Sequence, residues 1–193
     1  MAERPDDARV TALAIAAGQG DRTALAEFVR ATQRDVHRFV THLAGPRDAD
    51  DLAQDTYVRA LRSLPQFAGR SSARTWLLSI ARHAVADAVR TAVRRPRTSG
   101  VDDWEALAAA TGRPALVRSA SDEAVLLRSL VDALEPDRRE AFVLTQELDL
   151  SYAEAADVCG CPVGTIRSRV ARAREDLVQA MEDKPRSQRA SGA

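Results

Sequence analysis

The chain is poor in everything that would cross-link it or hold it in a membrane. Its two cysteines, Cys159 and Cys161, are too few for a disulfide scaffold, and a reducing cytoplasm is the expected setting. No stretch approaches the roughly 20 apolar residues of a membrane span. Met1 to Arg9 is polar and acidic and reads as no signal peptide. Aromatic residues make up 4% of the chain while alanine abounds, so few segments look like strands and helix is favoured. Histidine occurs only at His37, His42 and His83, with no His-Glu-x-x-His pair and no glycine-rich Walker loop, which leaves an enzyme reading little support. Zinc at the two cysteines is disfavoured, because their spacing is Cys-x-Cys and no second ligand pair follows. A buried structural role is expected for them, with no metal and no cofactor. Lysine occurs once, at Lys184; the heavy use of arginine suits bidentate phosphate or base contacts, although a coding bias explains it as well.

What is present is an ordinary soluble balance. The 193 residues are 45% hydrophobic and 29% charged, which excludes collagen-like, mucin-like and wholly disordered classes. Length allows one or two domains. The formal charge is +0, from 28 basic and 28 acidic residues, so only its local distribution is informative.

Two helical blocks flank a poorer middle. In the first, Asp21 can cap a helix that runs to Ala44 and stops at Gly45-Pro46, with Leu25, Phe28, Val29, Val36, Phe39, Val40 and Leu43 at helical spacing. Asp48 can cap a second helix ending near Leu64-Pro65. A loop from Gln66 to Ser71 follows, and Ser72 can cap a third helix that Pro96 ends. Pro96, Gly100, Gly112 and Pro114 mark 96–121 as a linker, with a short helix conceivable at Trp104–Ala110. Its 26 residues span at most roughly 85–95 Å. In the second block, helices are expected at Glu123–Leu134, Asp137–Leu148, Tyr152–Cys159 and Val163–Met181. A polar, disordered tail is expected over 184–193. The expected organisation is therefore all-α: two small helical domains, 1–95 and 122–183, joined by a flexible linker.

The segment from Leu150 to Val170 is the most informative. Ser151 and Glu154 make a capping-box pattern, Gly160 suits a left-handed turn, and Cys161-Pro162 restarts a helix, which is a helix-turn-helix plan. At about 100° per residue, Val163, Ile166, Val170, Ala173, Leu177 and Met181 share one face. Gly164, Arg167, Ser168, Ala171 and Arg172 lie opposite. Small residues among arginines let a helix sit deep in a major groove while the arginines reach base edges or phosphates. A solvated amphipathic helix would carry exposed arginines too; the capped helix and the Gly-Pro turn favour DNA.

The first block carries two faces of opposite sign. On the second helix, Asp51, Gln54 and Asp55 fall within about 100° of one another, opposite Ala53, Tyr57, Ala60, Leu61 and Leu64. An acidic surface of this kind suits a protein partner with a basic patch. Helix-dipole preference alone explains Asp48 and Asp51 but explains Asp55 poorly. On the third helix, Leu77, Ile80, Ala81, Ala84 and Ala88 form the expected buried stripe. Arg82, His83, Arg90 and Arg94 lie on the far side, an electrostatic footprint suited to a phosphate backbone. Trp76 reads more as core than as contact, and Phe67 as either.

These residues together resemble bacterial RNA polymerase sigma factors of the extracytoplasmic-function group of the sigma-70 family, with an actinobacterial SigC-like subgroup as the finer likeness. Asp48 to Leu61 is similar to the helix that docks on the β′ clamp, Phe67 to Arg82 to the segment that reads and melts the −10 element, and Leu150 to Arg169 to the −35-reading helix-turn-helix. The resemblance implies core polymerase (β′ clamp helices and β flap) and promoter DNA as partners, an anti-sigma protein as a regulator, and no membrane insertion. It implies polymerase docking through Asp51, Leu52, Gln54 and Asp55. It implies −10 contacts from Phe67, Arg70, Ser71, Arg74, Trp76, Arg82, His83 and Arg90, and −35 contacts from Thr165, Arg167, Ser168, Arg169 and Arg172. The family often has asparagine where this chain has His83. The two promoter elements lie about two helical turns apart, on the order of 70 Å, a distance the extended linker can cover. Its acids Asp102, Asp103 and Glu105 suit a basic channel. As an alternative to an anti-sigma protein, the two domains could pack on each other and hide a binding face. A stand-alone regulator that binds operators as a dimer is the competing reading, but it leaves the acidic helix and the Phe67 loop without a purpose.

Overall fold

A computed structural model describes residues 5–94 and 122–190, with side chains for 7–92 and 125–182. The expected linker, and with it the short helix at Trp104–Ala110, lies outside the described residues. The first block holds α1 (Pro5–Gly18), α2 (Arg22–Ala44), α3 (Ala49–Ser63), a 3-10 turn (Leu64–Gln66) and α4 (Ala73–Arg94). The second holds α5 (Asp122–Asp132), α6 (Pro136–Phe142), a π turn (Val143–Glu147), α7 (Tyr152–Cys159) and α8 (Val163–Ala190). Among the described residues there is no strand.

Helix starts follow local chemistry. Asp21 sits in extended backbone and its Oδ1 accepts from Thr23 N at 2.8 Å and Ala24 N at 3.0 Å, starting α2. Ser72 does the same for α4 through Thr75 N at 3.1 Å. Asp48 departs from expectation. It precedes α3, but its backbone is already helical (φ −100°, ψ 0°), and a capping side chain needs extended backbone; it makes no side-chain cap bond.

The first block is built around Phe28, Val36, Phe39 and Val40 of α2, all fully buried, with Leu52, Thr56 and Ala60 of α3 and Leu77, Leu78, Ala81 and Val85 of α4. The apolar faces expected from the sequence are displaced at their ends. Leu61 and Ala88 are exposed, because no second layer covers those turns. On α8, Ile166, Val170, Ala173 and Leu177 are buried, whereas Val163 and Met181 at either end reach solvent. The same helix runs to Ala190 where a disordered tail was expected from Lys184; once a helix is nucleated, each further residue adds a bond.

The long helix expected over Asp137–Leu148 is instead α6 followed by the π turn, in which Leu148 N bonds to Val143 O at 3.0 Å and Leu150 N to Leu144 O at 2.9 Å. That turn ends at Glu147, which faces the first block.

The two blocks share one core. Their buried residues form a single contiguous cluster. α4 packs against α7, and α2 packs against α6 and the π turn.

Candidate nucleic-acid interface

The helix-turn-helix is built as its sequence requires. Ser151 Oγ accepts from Glu154 N at 3.2 Å while Glu154 Oε2 accepts from Ser151 N at 2.9 Å, closing the capping box. Gly160 takes up φ 63° and ψ 38°, and Cys161 N bonds back to Ala156 O at 3.1 Å. That left-handed turn needs glycine. Thr165 N and Ile166 N return to Pro162 O, and α8 begins. Burial of Ile166 and Val170 turns Arg167, Ser168, Ala171 and Arg172 outward, all exposed. Thr165 is half-buried beside them. Arg169 is held back: its guanidinium pairs with Asp137 and lies 3.9 Å from Cys161 Sγ.

In the first block, Phe67 and Trp76 stack with ring centroids 4.8 Å apart at 37°, which fixes the loop between the 3-10 turn and α4. Arg70 and His83 are exposed and Ser71 is half-buried. Arg74 is only 14% exposed and its Nε donates to Asp35 at 2.6 Å, so it ties α4 to α2 instead of projecting. Arg90 pairs with Asp87, whose carboxyl is held below its ordinary value by hydrogen bonds from Arg59 and Arg90.

Arg82 departs most from expectation. It points to the second block, where its Nε donates to Glu140 Oε1 at 2.6 Å. Glu140 is 5% exposed, and burial pushes its pKa up despite the guanidinium.

On α3, Asp51 is exposed and Asp55 is half-buried, paired with Arg59 at 2.9 Å. Leu52 is 7% exposed and belongs to the core, because it shares the Ala49–Thr56–Ala60 stripe rather than the acidic face. Gln54 lines an interdomain cleft of about 1020 Å³ together with Tyr57, Arg34 and Arg38. Leu127, Arg128 and Phe142 form its other wall.

The interdomain contacts were not foreseen residue by residue. His42 Nδ1 lies 2.9 Å from Asp132 Oδ1 and its Nε2 3.1 Å from Glu147 Oε2. Arg38 donates to Glu147 O at 3.4 Å, and Arg139 donates to His42 O at 3.1 Å and Leu134 O at 2.9 Å. One signal was available for Glu140: it stands beside Ala141 and four residues before Leu144, a charge set into an apolar stripe. His42 stands in the last turn of α2, where a basic side chain is an ordinary complement to the helix dipole, so local sequence gives no sign of its partners.

The cysteines are free. Cys159 is buried, and burial together with nearby Glu140 pushes its thiol pKa far up, so it stays a protonated packing group. Among the described residues, no group of three or more His, Cys, Asp or Glu side chains could hold a metal ion, and no helix is long and apolar enough to cross a membrane.

Comparison with known proteins agrees with this geometry. Residues 28–95 match the model for sigma-70 region 2 and residues 124–177 that for sigma-70 region 4. The chain is 50% identical over 177 residues to the ECF RNA polymerase sigma factor SigC of Mycobacterium tuberculosis, covering 92% of this chain and 94% of that one. It is 34% identical over 166 residues to the ECF sigma-E factor of Escherichia coli K12, covering 82% and 87%. Among solved structures it is similar to CnrH in complex with the cytosolic domain of CnrY (TM-score 0.67, 26% identity, 91% of this chain and 98% of that one). It is also similar to RpoE in complex with the anti-sigma factor NepR from Bartonella quintana (TM-score 0.64, 26% identity, 82% and 96%). Two matched sigma-70 regions in order, and relatives of this identity across most of their length, place the chain in the extracytoplasmic-function group of the sigma-70 family, the DNA-binding initiation factors that bind core RNA polymerase and direct it to promoters.

Proposed function

We propose that this sigma factor works in the cytoplasm, that its free form is self-occluded, and that its two domains, 1–95 and 122–183, separate on polymerase as the 96–121 linker extends. The observation that carries this reading is the direct contact between the two blocks. α4 touches α7 and α7 touches α8, so the axis of α8 lies within about two helix spacings of α4, roughly 20 Å. Promoter elements two turns apart require on the order of 70 Å. Arg82, on the −10 side, is meanwhile held by Glu140.

In the open form, Asp51, Gln54 and Asp55 dock on the β′ clamp helices and region 4 reaches the β flap. Phe67, Arg70, Ser71, Trp76 and His83 frame a pocket for a flipped −10 base, with Arg82 and Arg90 on phosphates. Taking a base out of the stack costs a few kcal/mol, so a loop already stiffened by the Phe67–Trp76 stack is an advantage. Arg167, Ser168 and Arg172 face the −35 major groove with Thr165 beside them, and one bidentate arginine–guanine contact supplies about 1–3 kcal/mol of discrimination. Arg74 and Arg169 position these surfaces through Asp35 and Asp137. The solved complexes of relatives with CnrY and NepR support an anti-sigma protein as a second means of restraint.

Run-off transcription with purified bacterial core polymerase tests the assignment. Wild type should initiate. Asp51→Ala/Asp55→Ala should fail to bind core, and Arg167→Ala/Arg172→Ala should bind core but fail at the promoter. DNA binding that is equally tight with and without polymerase would sink the reading.

A further inference from the structure

Region 2 lends region 4 a single buried histidine. His42 is 4% exposed, near the C-terminus of α2, and both ring nitrogens lie at hydrogen-bond distance from carboxylate oxygens of the other domain. An ionised carboxylate only accepts, and a neutral imidazole carries only one N–H. With a neutral ring, one of the two contacts would set a lone pair against a carboxylate oxygen. Only the doubly protonated ring satisfies both Asp132 and Glu147.

We propose that His42 is a proton-operated latch between the two domains: the protonated ring fastens the closed form, and loss of that proton releases region 4 from region 2. The proposal rests on the closed resting form argued above and names what regulates it.

The surroundings favour this direction. Burial disfavours the charged ring, but hydrogen bonds and charge from Glu147 and Asp132 outweigh it and hold the pKa of His42 above its ordinary 6.5. The same contact lowers that of Glu147, against the effect of its own burial. α5 presents Asp132 and Arg128 and the π turn presents Glu147; both guanidiniums, Arg128 and Arg38, act on Glu147. α6 presents Arg139, bonded to the His42 carbonyl, and Glu140, bonded to Arg82. On α2 itself, His37 meets Asp50 of α3 at 3.1 Å, a contact within region 2 that does not cross the interface.

The sign follows from linkage. A histidine whose pKa is raised on closure contributes its full stabilisation below pH 6.5, and the contribution is lost as pH rises through the closed-form value. Between the two values, opening releases one proton, and the closed-to-open ratio falls by about tenfold per pH unit. Glu140, raised by burial, acts in the same direction, so the latch must be separated from it by substitution.

Small-angle scattering of the free full chain between pH 6 and 9, on wild type, His42→Asn and Asp132→Asn/Glu147→Gln, tests the latch. Wild type should be compact at pH 6, with a radius of gyration near the roughly 16 Å of a folded chain of this length, and should expand as pH rises. Both variants should lose that dependence; the carboxylate pair keeps His42 and guards against a folding defect in His42→Asn. A wild type that is compact at every pH, or a slope that survives in both variants, overturns the latch and leaves the closed resting form standing. A wild type that is expanded at every pH overturns both.

Discussion

Breaking the Arg82–Glu140 pair from its two ends should have unequal effects. Arg82→Ala strands a carboxylate that is 5% exposed in the closed form. Removing one partner of a buried pair costs about 3–5 kcal/mol. Glu140 can relieve part of this by taking up a proton, which its burial already favours, so about 2–3 kcal/mol is the expected remainder. Separation of the domains rehydrates Glu140, so the penalty should appear as opening, not unfolding: the closed-to-open ratio should drop by roughly 30- to 150-fold. Glu140→Gln instead keeps an acceptor for Arg82 and buries no charge, while Arg82, a third exposed, retains water; its effect should be about 1 kcal/mol or less. Scattering at fixed pH reports the closed fraction, and urea melts report whether each domain stays folded. Transcription is a poor readout here because Arg82 is also a −10 candidate. Equal opening by both substitutions, or loss of region 4 structure in Arg82→Ala, would refute the reasoning.

Three further outcomes are expected. Gly18→Ala places a Cβ 2.6 Å from the Leu64 carbonyl oxygen, where α1 crosses the 3-10 turn; backbone must move, and a melt should show region 2 weakened by about 1–3 kcal/mol. Ser151→Ala opens the capping box of α7 and should lower the urea midpoint of region 4 by the equivalent of about 1 kcal/mol. The phenol of Tyr57, hydrogen-bonded to Thr32 at 2.8 Å, is pushed up to about 12 chiefly by burial, so phenolate absorbance should develop late, the late step should vanish in Tyr57→Phe, and stability should decline as pH climbs above 10.

Local chemistry made much of this architecture readable. Asp21, Ser72, Ser151 and Gly160 act on residues within a turn of themselves, so their patterns survive without knowledge of the rest of the chain. The outward face of α8 was readable for the same reason: Ile166, Val170, Ala173 and Leu177 set the buried side and leave Arg167 and Arg172 no other direction. What escaped was non-local. Arg82 was expected to be exposed because α4 was treated as having one packed face. It has two, one toward α2 and α3 and another toward α7. His42 meets carboxylates 90 and 105 residues away, and no spacing rule reaches that far. α1 was not foreseen as a separate helix: Val10, Leu13, Ala14 and Ala17 do form an apolar stripe against the core, but Ala12, Ile15 and Ala16 spread apolar residues onto its other sides and blur the period.

Placing both halves of the restraint on one polypeptide also changes how the output scales. Closure within a chain is a first-order equilibrium, so the fraction of molecules available to polymerase is the same whether the cell makes few copies or many. A separate inhibitor behaves as a titrant: nothing is released until its copies are exhausted, and the response then rises steeply. A sigma factor held by its own region 4 alone would have no such threshold. Each newly made copy adds the same increment of active factor, and the setting of that increment lies in the interface itself.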